Sequence, residues 1–355
     1  MNINVQNVGL CLMLNYKWFL KDINAVEKNG LKVFSCFSCG GGSSLGYKLA
    51  GFEVIGNCEI DPAMNKLYLE NLHPKYNFLM GVQDFKKLEN IPEELFGIDV
   101  LDGSPPCSTF SLAGEREKNW GKDKKFREGQ AAQVLSDLFF EFLDVAEVLK
   151  PKVIIAENVK GIIQGNAKSY INAIIKRYNS IGYDVQIFLL NSATMGVPQK
   201  RERVFFIARR KDLNYKPVSL KFNERPILYK EFKDSEYKPL DPDSQTAKRW
   251  ANRKVSDRTI GDVVARTEKG KLSGFTLPFI KDNEVPPTLT AGGSVPLRFD
   301  VCASISDKDM ITIQTFPQDY NFLNQSVQYV CGMSVPPLMM AGIAQQVYKQ
   351  VFDSE

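Results

Sequence analysis

Apolar, β-prone runs alternate with helical stretches between residues 32 and 210, and this rhythm constrains the fold more than any other feature of the sequence. The predicted strands are 32–37, 53–59, 98–103, 152–157, 184–190 and 203–208, and the predicted helices are 45–50, 61–71, 133–149 and 168–181. Strands and helices that alternate on this scale form a mostly parallel sheet with helices on both faces. The sequence therefore predicts an α/β fold with a doubly wound sheet.

The rhythm breaks after residue 210. The next 75 or so residues contain prolines and scattered charges but no long helical period, which predicts a second, smaller domain. Helical periodicity returns over 335–351, around the Pro336-Pro337 pair. We therefore expect four parts: an N-terminal extension (1–30), a principal domain (31–210), the smaller region (211–285) and a return to the principal domain (286–355).

Charge and residue usage exclude several classes of function. The 45 Lys and Arg against 41 Asp and Glu give a net charge of only +4, so a polyanion would need a local basic patch. The single histidine, His73, excludes a histidine-based triad and a multi-histidine metal site, and we expect no metal. The seven cysteines lack paired metal spacing, and the apolar run at 8–14 is too short to cross a bilayer. These features predict a cytoplasmic protein with no membrane partner.

A glycine turn follows the first predicted strand, in the run Phe37-Ser38-Cys39-Gly40-Gly41-Gly42. The spacing of these glycines differs from the G-x-G-x-x-G of dinucleotide-binding sites, and no phosphate-binding lysine follows as in a P-loop. The turn therefore favours a nucleotide-like ligand whose binding does not depend on phosphate contacts. Glu59 ends the second predicted strand, where an acidic side chain can accept both hydroxyls of a ribose. A turn that serves packing alone is the alternative. The C-x-x-C spacing of Cys36 and Cys39 also allows thioredoxin-like redox chemistry, although a glycine turn follows it.

Two further strand ends carry reactive side chains. Cys107 follows Pro105-Pro106, in a stiff loop suited to an exposed thiol nucleophile; a buried small hydrophobe is the alternative. Because His73 lies in a predicted helix-end segment, the basic cluster 199–203 is the candidate for lowering the pKa of that thiol. Glu157 ends another strand and is either a general acid or a helix cap.

Together these segments resemble the DNA (cytosine-5)-methyltransferase family. The resemblance rests on segments in family order: Phe37 to Gly42, Glu59, Pro105-Pro106-Cys107, Glu157-Asn158-Val159, Gln199-Lys200-Arg201-Glu202-Arg203, Pro287-Thr288-Leu289-Thr290 and Gly332-Met333-Ser334-Val335. It extends over residues 32–350 and places the family's variable region in 211–285. It implies a Rossmann-like class I methyltransferase fold with a target-recognition domain, S-adenosylmethionine as cofactor and double-stranded DNA as substrate.

The resemblance also implies a mechanism. Cys107 would add as a thiolate to C6 of a flipped-out cytosine, which makes C5 nucleophilic toward the sulfonium methyl group. Glu157 would protonate or hydrogen-bond N3, Arg203 would hold O2, and Arg201 would belong to the same catalytic set. The base that removes the C5 proton is not identified by the sequence.

For the cofactor, the resemblance implies Phe37 and Ile60 on the two adenine faces, Val82 at the adenine edge and Glu59 on the ribose. The other implied cofactor-binding residues are Ser38, Cys39, Gly40, Gly41, Gly42, Pro106, Leu138, Ser334 and Val335. The sequence departs from the family pattern on this side of the site, at Cys39, Ile60, Gly81 and Met333.

The implied DNA contacts concentrate in the smaller region. Residues 244–271 contain eight basic and three acidic residues around Trp250, which suits phosphate contacts and base reading by arginine; a solvated basic face is the alternative. The expected DNA-binding residues are Ser111, Gln199, Lys248, Arg249, Arg253, Lys254 and Arg258.

The resemblance leaves the biological setting open. It implies a monomer that acts in restriction-modification beside a partner restriction endonuclease, or an orphan or phage-encoded enzyme. An RNA-directed member that modifies a tRNA cytosine is one alternative, but its Cys-Phe-Thr stretch is missing from 211–285. A catalytically silent DNA-binding relative and an unrelated Rossmann oxidoreductase are the others; the glycine spacing disfavours the oxidoreductase.

Overall fold

Seven strands form the main sheet. The computed structural model describes residues 15–106, 123–124, 133–134, 138–164, 168–268, 277–293 and 295–353. The strands are β1 (Lys32–Cys36), β2 (Glu53–Glu59), β3 (Tyr76–Leu79), β4 (Val100–Gly103), β5 (Val153–Val159), β6 (Tyr183–Asn191) and β7 (Glu202–Arg210). Their order is β3-β2-β1-β4-β5-β7-β6, with β7 antiparallel to both neighbours and the other pairs parallel. The predicted mostly parallel sheet is confirmed.

Helices cover both faces of the sheet. They are α1 (Gly42–Leu49), α2 (Pro62–Leu72), α3 (Val82–Phe85), α4 (Leu138–Leu149), α5 (Lys168–Ser180), α6 (Gln245–Ala251), α7 (Ile260–Thr267), α8 (Asp307–Gln314), α9 (Val327–Met333) and α10 (Pro337–Val347), which continues as a π-helical turn over Tyr348–Phe352. Alternate strand residues enter two separate apolar cores: Val33 packs with α1 and α10, whereas Phe34 packs with α3 and α4. This two-sided burial explains the nearly continuous apolar runs in the sequence.

A second, four-stranded sheet uses residues from both sides of position 285. Its strands are β8 (Lys238–Pro239), β9 (Phe279–Ile280), β10 (Leu297–Arg298) and β11 (Ala303–Ser304), in the order β8-β11-β10-β9. A small apolar core beside it joins Ile260 and Val263 of α7 to Phe279 and Leu297. The domain boundaries at 210 and 285 stay predictions.

The structure differs from the predicted elements at several places, including β3, α4 and α10. The edge strand β3 was not predicted, because its four residues lack an apolar run. Helix α4 begins at Leu138 instead of 133, and Gln133–Val134 pairs with Asp123–Lys124 in a short antiparallel ladder. The predicted helix 335–351 begins at Pro337, because Pro336 is the N-cap and its extended conformation separates α9 from α10.

Residues Val327–Phe352, which comprise α9, α10 and the residues that separate them, form the one stretch in the described part of the chain that is long and apolar enough to cross a membrane. Its most apolar window is 72% buried within the protein, as in the core helix of a folded domain.

Candidate active site

The carboxyl ends of β1, β2, β4 and β5 meet at one edge of the sheet, where α/β folds bind their ligands. Strand β1 leads into the glycine turn, β2 ends at Glu59, β4 leads into Pro105-Pro106, and β5 carries Glu157 near its end. The structure thus brings the glycine turn, Glu59, the Pro105-Pro106 pair and Glu157 to the same edge of the sheet. The predicted nucleophile Cys107 and the predicted DNA contact Ser111 lie outside the described residues.

Glu59 ties the glycine turn to the end of β2. One carboxylate oxygen accepts a 2.7 Å hydrogen bond from the Cys39 backbone N–H, and the other accepts a 2.8 Å bond from the Asp61 N–H. The side chain is buried, and this burial raises the pKa of Glu59, although the two amide donors oppose the shift. Asp61 in turn caps α2 by accepting from the N–H of Ala63 and Met64. The carboxylate is therefore held in a fixed position at the sheet edge.

The glycine turn concentrates unusual backbone conformations. Phe37, Cys39 and Gly41 have φ of 53°, 45° and 80°, and two of these are non-glycine residues in the left-handed region. The Gly41 N–H donates to the Ser38 carbonyl at 2.8 Å and closes the turn. Backbone strain of this kind is maintained only where surrounding contacts impose it, and it is concentrated at ligand sites.

The same turn packs closely on the segment that joins α9 to α10. A Cβ atom at Gly42 would overlap the backbone carbonyl oxygen of Val335 and crowd the Ser334 side chain. The Tyr320 hydroxyl donates to the Gly40 carbonyl at 2.7 Å. Close packing against the chain itself therefore explains the glycine at 42, so the packing interpretation accounts for part of the turn.

The predicted cofactor residues fall into two groups by accessibility. Ser38, Val82, Leu138, Ser334 and Val335 are buried, as are the three glycines, whereas Phe37, Cys39, Ile60 and Pro106 are half-buried. Phe37 donates its N–H to the carbonyl of Cys58, the residue before Glu59, at 2.9 Å, and Ile60 follows Glu59 in the chain. A half-buried aromatic residue and a half-buried aliphatic residue on the two chain segments that meet at a buried carboxylate are suited to a ligand that contains a nucleoside.

The burial of Cys36 and Cys39 argues against thioredoxin-like redox chemistry at the C-x-x-C motif. Burial raises the pKa of the Cys39 thiol to about 12 and that of Cys36 well above its ordinary value. Redox-active C-x-x-C motifs depend on a lowered thiol pKa. At neutral pH both of these thiols are protonated, so they are unsuited to thioredoxin-like exchange.

Glu157 and Arg203, two of the predicted catalytic residues, form an ion pair at this edge. Glu157 Oε1 lies 2.9 Å from Arg203 Nε, and the side chains are 12% and 15% exposed. Arg203 also donates from Nη1 to the Glu202 carbonyl at 2.8 Å. Burial lowers the pKa of the Arg203 guanidinium, and the Glu157 carboxylate opposes that shift. Each member is close enough to the surface to reach a substrate and is oriented by the other.

Asn158 links this pair to the loop that leads to residue 107. Its Nδ2 donates to the Pro105 carbonyl at 3.1 Å, and its Oδ1 accepts from the Val159 N–H at 2.9 Å. The side chain is 3% exposed. Because Pro105 is two residues before Cys107, this bond positions the start of the predicted nucleophile loop next to Glu157.

Two residues of the 199–203 cluster are placed differently from expectation. Arg201 is buried, and its guanidinium donates to the Leu289 carbonyl at 3.1 Å and the Gly332 carbonyl at 3.0 Å. Gln199 is fully buried, donates to Ile313 O and Gln314 Oε1, and accepts from the Leu289 N–H. The expected DNA contact at Gln199 stays a prediction, although its side chain is buried and engaged in these internal bonds. Arg201 joins distant segments of the chain instead of pairing with Glu157.

Two of the expected base-reading arginines are engaged in contacts within the protein. Arg249 makes a bidentate pair with Glu268, with both contacts at 2.9 Å. The Arg253 guanidinium stacks 3.2 Å from the Trp250 ring centroid and donates to the Phe299 carbonyl at 2.7 Å. These contacts explain the Arg-Trp pattern as packing. Lys248, Lys254 and Arg258 are exposed and remain candidates for DNA contacts.

The structure reveals two features that the sequence reasoning missed. Asp102 is buried in β4 and accepts from Ser35 Oγ, Ser43 Oγ and Tyr47 Oη at 2.8, 2.9 and 3.3 Å. In the sequence, Asp102 could have been noticed as the one acidic residue inside the apolar strand β4. Burial raises the pKa of Asp102 to about 7.

The second feature is a cleft of about 590 Å³ near the small sheet. Its walls include Lys200, Val255, Arg258 and Lys281. Lys200 follows the buried Gln199, and its backbone N–H donates to the Pro286 carbonyl at 2.8 Å. The cleft is thus continuous with the 199–203 segment.

The strand order, the single antiparallel strand β7 and the site at the carboxyl edge define a Rossmann-like fold of the methyltransferase type. A family model described as C-5 cytosine-specific DNA methylase matches residues 31–349. The chain belongs to this family.

Named relatives agree with this assignment. The chain is 36% identical over 190 residues to the type II methyltransferase M.NgoPII of Neisseria gonorrhoeae, a match that covers 53% of this chain and 50% of that protein. It is 26% identical over 346 residues to M1.HphI of Haemophilus parahaemolyticus, covering 90% and 87%. The matches to M.NgoPII and to M.FnuDI of Fusobacterium nucleatum span about half the length of those proteins.

Solved structures share the fold. The Dnmt2 structure from Spodoptera frugiperda has a TM-score of 0.63 at 17% identity and covers 90% of this chain and all of its own. The S. pombe Dnmt2 methyltransferase has a TM-score of 0.57 at 16% identity, covering 90% and 99%. At these identities the likeness is one of fold alone.

Proposed function

We propose that this protein transfers a methyl group from S-adenosylmethionine to C5 of a flipped-out cytosine in a specific double-stranded DNA sequence. The observation that carries the proposal is the Glu157–Arg203 pair, bonded through Asn158 to the loop that leads to Cys107. A carboxyl group, a guanidinium and a thiol are the groups that activation of cytosine at C6 requires. The family membership supports the same chemistry.

Each residue has a proposed role in that reaction. Cys107 forms the covalent bond to C6, Glu157 protonates or hydrogen-bonds N3, and Arg203 binds O2. Adding sulfur to C6 moves negative charge onto N3 and O2, so a proton donor and a cation at those atoms stabilise the adduct. Arg201 acts as a positioning residue, because its guanidinium is bonded to backbone carbonyls.

The cofactor is proposed to bind at the glycine turn. Glu59 would accept from the ribose hydroxyls while remaining bonded to the Cys39 and Asp61 amides, and Phe37 and Ile60 would contact the adenine. When bound, S-adenosylmethionine supplies an electrophilic methyl group. The buried Ser334 and Val335 support the turn from behind.

The relatives' names support a biological setting for this reaction. Type II methyltransferases of bacteria and orphan methyltransferases of Bacillus phages are among them. We propose a cytoplasmic monomer that modifies DNA either beside a restriction endonuclease or alone, with the small region 211–285 as its target-recognition part.

Methyl transfer from tritium-labelled S-adenosylmethionine to mixed genomic DNA and to total tRNA tests the reaction. We expect label in DNA, recovered as 5-methyldeoxycytidine after nuclease digestion. Label that enters tRNA alone would support the RNA-directed alternative, and cofactor binding without transfer would support a silent relative.

A trapping experiment tests the nucleophile. Random-sequence duplexes that contain 5-fluorodeoxycytidine should form a denaturant-resistant adduct, because fluorine cannot leave as a proton does after methyl transfer. Cys107→Ser should abolish the adduct, whereas Cys302→Ser, which removes a half-buried thiol next to β11, should retain it. An adduct that survives Cys107→Ser would assign the chemistry to another thiol.

A further inference from the structure

Val255 is the most exposed large apolar side chain in the part of the chain that the structure describes, at 78%. It lies on the loop 254–258, between α6 and α7. A single exposed valine is ordinary on a protein surface. Its surroundings distinguish this one, because the loop is held in place and borders the cationic cleft.

Hydrogen bonds hold the backbone of this loop. The buried Asp257 accepts from the Lys254 N–H at 2.7 Å and pairs with Arg266 at 2.6 Å. Its own N–H donates to the Lys254 carbonyl at 2.9 Å. Lys281 Nζ donates to the Val255 carbonyl at 2.6 Å. A loop ordered in this way loses little conformational entropy when a partner binds, so the exposed valine is preorganised.

The cleft that Val255 borders is cationic. Lys200, Arg258 and Lys281 line it, and Glu284 is the one acidic residue among its lining residues, 3.5 Å from Lys281. Lys254 adds a further exposed cation beside the valine. Walls of this charge are complementary to a phosphate backbone.

The cleft also lies near the proposed cytosine site. Lys200 and Arg203 are three residues apart, so their Cα atoms are separated by at most about 11 Å. Successive base pairs are stacked about 3.4 Å apart. Lys200, which lines the same cleft as Val255, therefore lies within about three base-pair steps of the residue proposed to bind the cytosine.

We propose that Val255 contacts the 5-methyl group of a thymine within three base pairs of the target cytosine and selects that base. This inference rests on the proposed function. A valine side chain neither donates nor accepts hydrogen bonds, so it cannot read polar base edges. The thymine methyl is the apolar group that the major-groove edge presents.

The test combines a protein change with a single-group change in the DNA. The recognition sequence is first obtained by bisulfite sequencing of a methylated random-duplex library. Each flanking thymine is then replaced by deoxyuridine, which lacks only the methyl group. We expect the parent enzyme to lose about fourfold in kcat/KM at one thymine, the equivalent of one buried methyl. Val255→Ala should show less than a twofold difference there, whereas Val148→Ala, an exposed valine of α4, should retain the parent's difference.

The outcomes separate this inference from the proposed function. If the parent methylates no DNA cytosine, the proposed function itself fails. If methylation occurs but the site has no thymine within three base pairs, or deoxyuridine is accepted equally at every position, the role of Val255 is wrong. A parent-like deoxyuridine penalty in Val255→Ala would also overturn it. The parent measurements need no variant, so a misfolded variant could not hide the result.

Discussion

The Glu157 carboxylate oxygen and the Arg203 Nε atom lie 2.9 Å apart and connect two neighbouring antiparallel strands, β5 and β7. The register pairs Glu157 with Phe205 and Arg203 with Val159, so the contact is a diagonal one across the two strands. Each side chain limits the orientation of the other before any substrate arrives, as preorganised catalytic groups require.

Glu157→Gln should slow methyl transfer and leave cofactor binding unchanged. Glutamine retains the size of the side chain but cannot donate a proton to N3, so we expect a loss of roughly 10²- to 10⁴-fold in single-turnover rate. Rapid-quench kinetics with labelled cofactor measures that rate, and calorimetry measures cofactor affinity. An unchanged rate would remove Glu157 from the reaction.

Glu59→Gln should weaken S-adenosylmethionine binding. The present carboxylate accepts from two backbone amides and still has lone pairs for a ribose, whereas the amide of glutamine offers one acceptor oxygen. Hydrogen bonds to a charged acceptor contribute about 1.5–3 kcal/mol, so affinity should fall roughly 10- to 100-fold. Titration calorimetry checks this result. DNA affinity should stay at the parent value, and a loss of DNA binding instead would contradict the assignment.

Arg201→Met should mainly lower the stability of the protein, whereas Arg203→Met should mainly lower its turnover. Arg201→Met leaves the buried Leu289 and Gly332 carbonyls without their donor, at a cost of about 1–3 kcal/mol each in unfolding free energy. Arg203→Met should lower turnover strongly but cost less unfolding free energy than Arg201→Met does, because its partner Glu157 lies near the surface. Urea unfolding and single-turnover kinetics on both variants check the contrast. Equal stability losses would show that Arg201 has no special positioning role.

Asp102 should make the protein less stable as pH rises from about 4 to about 7. The unfolded chain releases this proton near the ordinary aspartate pKa of 3.8, while burial raises the folded pKa to about 7. Between those values the folded state alone holds the proton, so rising pH favours unfolding, by about 4 kcal/mol at most.

Asp102→Asn should flatten this dependence in urea unfolding between pH 5 and 8. Asn stays neutral in both states, so the proton linkage is lost. Asp243→Asn, at an exposed position, should retain the parent's slope. A parent-like slope in Asp102→Asn would place the linkage elsewhere, with the buried Glu59 as the next group to examine.

The sequence predicted the sheet well because its central strands are buried on both faces. That burial demands continuous apolar runs, and a carboxylate such as Glu59 or Glu157 at the end of such a run is conspicuous. Strand β3 escaped detection because it lies at the edge and needs few apolar residues. Asp102 escaped because its partners are hydroxyl groups of Ser35 and Tyr47, which look like ordinary residues of a strand and a helix.

The roles of Arg201 and Gln199 could not be derived from the sequence. Arg201 and Arg203 are the same residue type two positions apart, and what distinguishes them is which distant segments cover them. Arg201 meets carbonyls about 90 and 130 residues further along the chain, at Leu289 and Gly332. Arg249 is similar, since Glu268 neutralises a side chain that the local composition presented as free.

The contact of Gly42 and Gly46 in α1 with the backbone of Val335 and Pro337 sets an order of events during synthesis. A ribosome that adds 5–20 residues per second completes α10 about 15–60 s after α1. Until then the side of α1 that meets α10, at Gly46, lacks its cover, whereas Leu45 can already pack with residues such as Val33 and Tyr68 of the same apolar core. The packing around the glycine turn is therefore completed late, and a chain terminated before α10 leaves exposed the side of α1 that α10 covers in the folded protein.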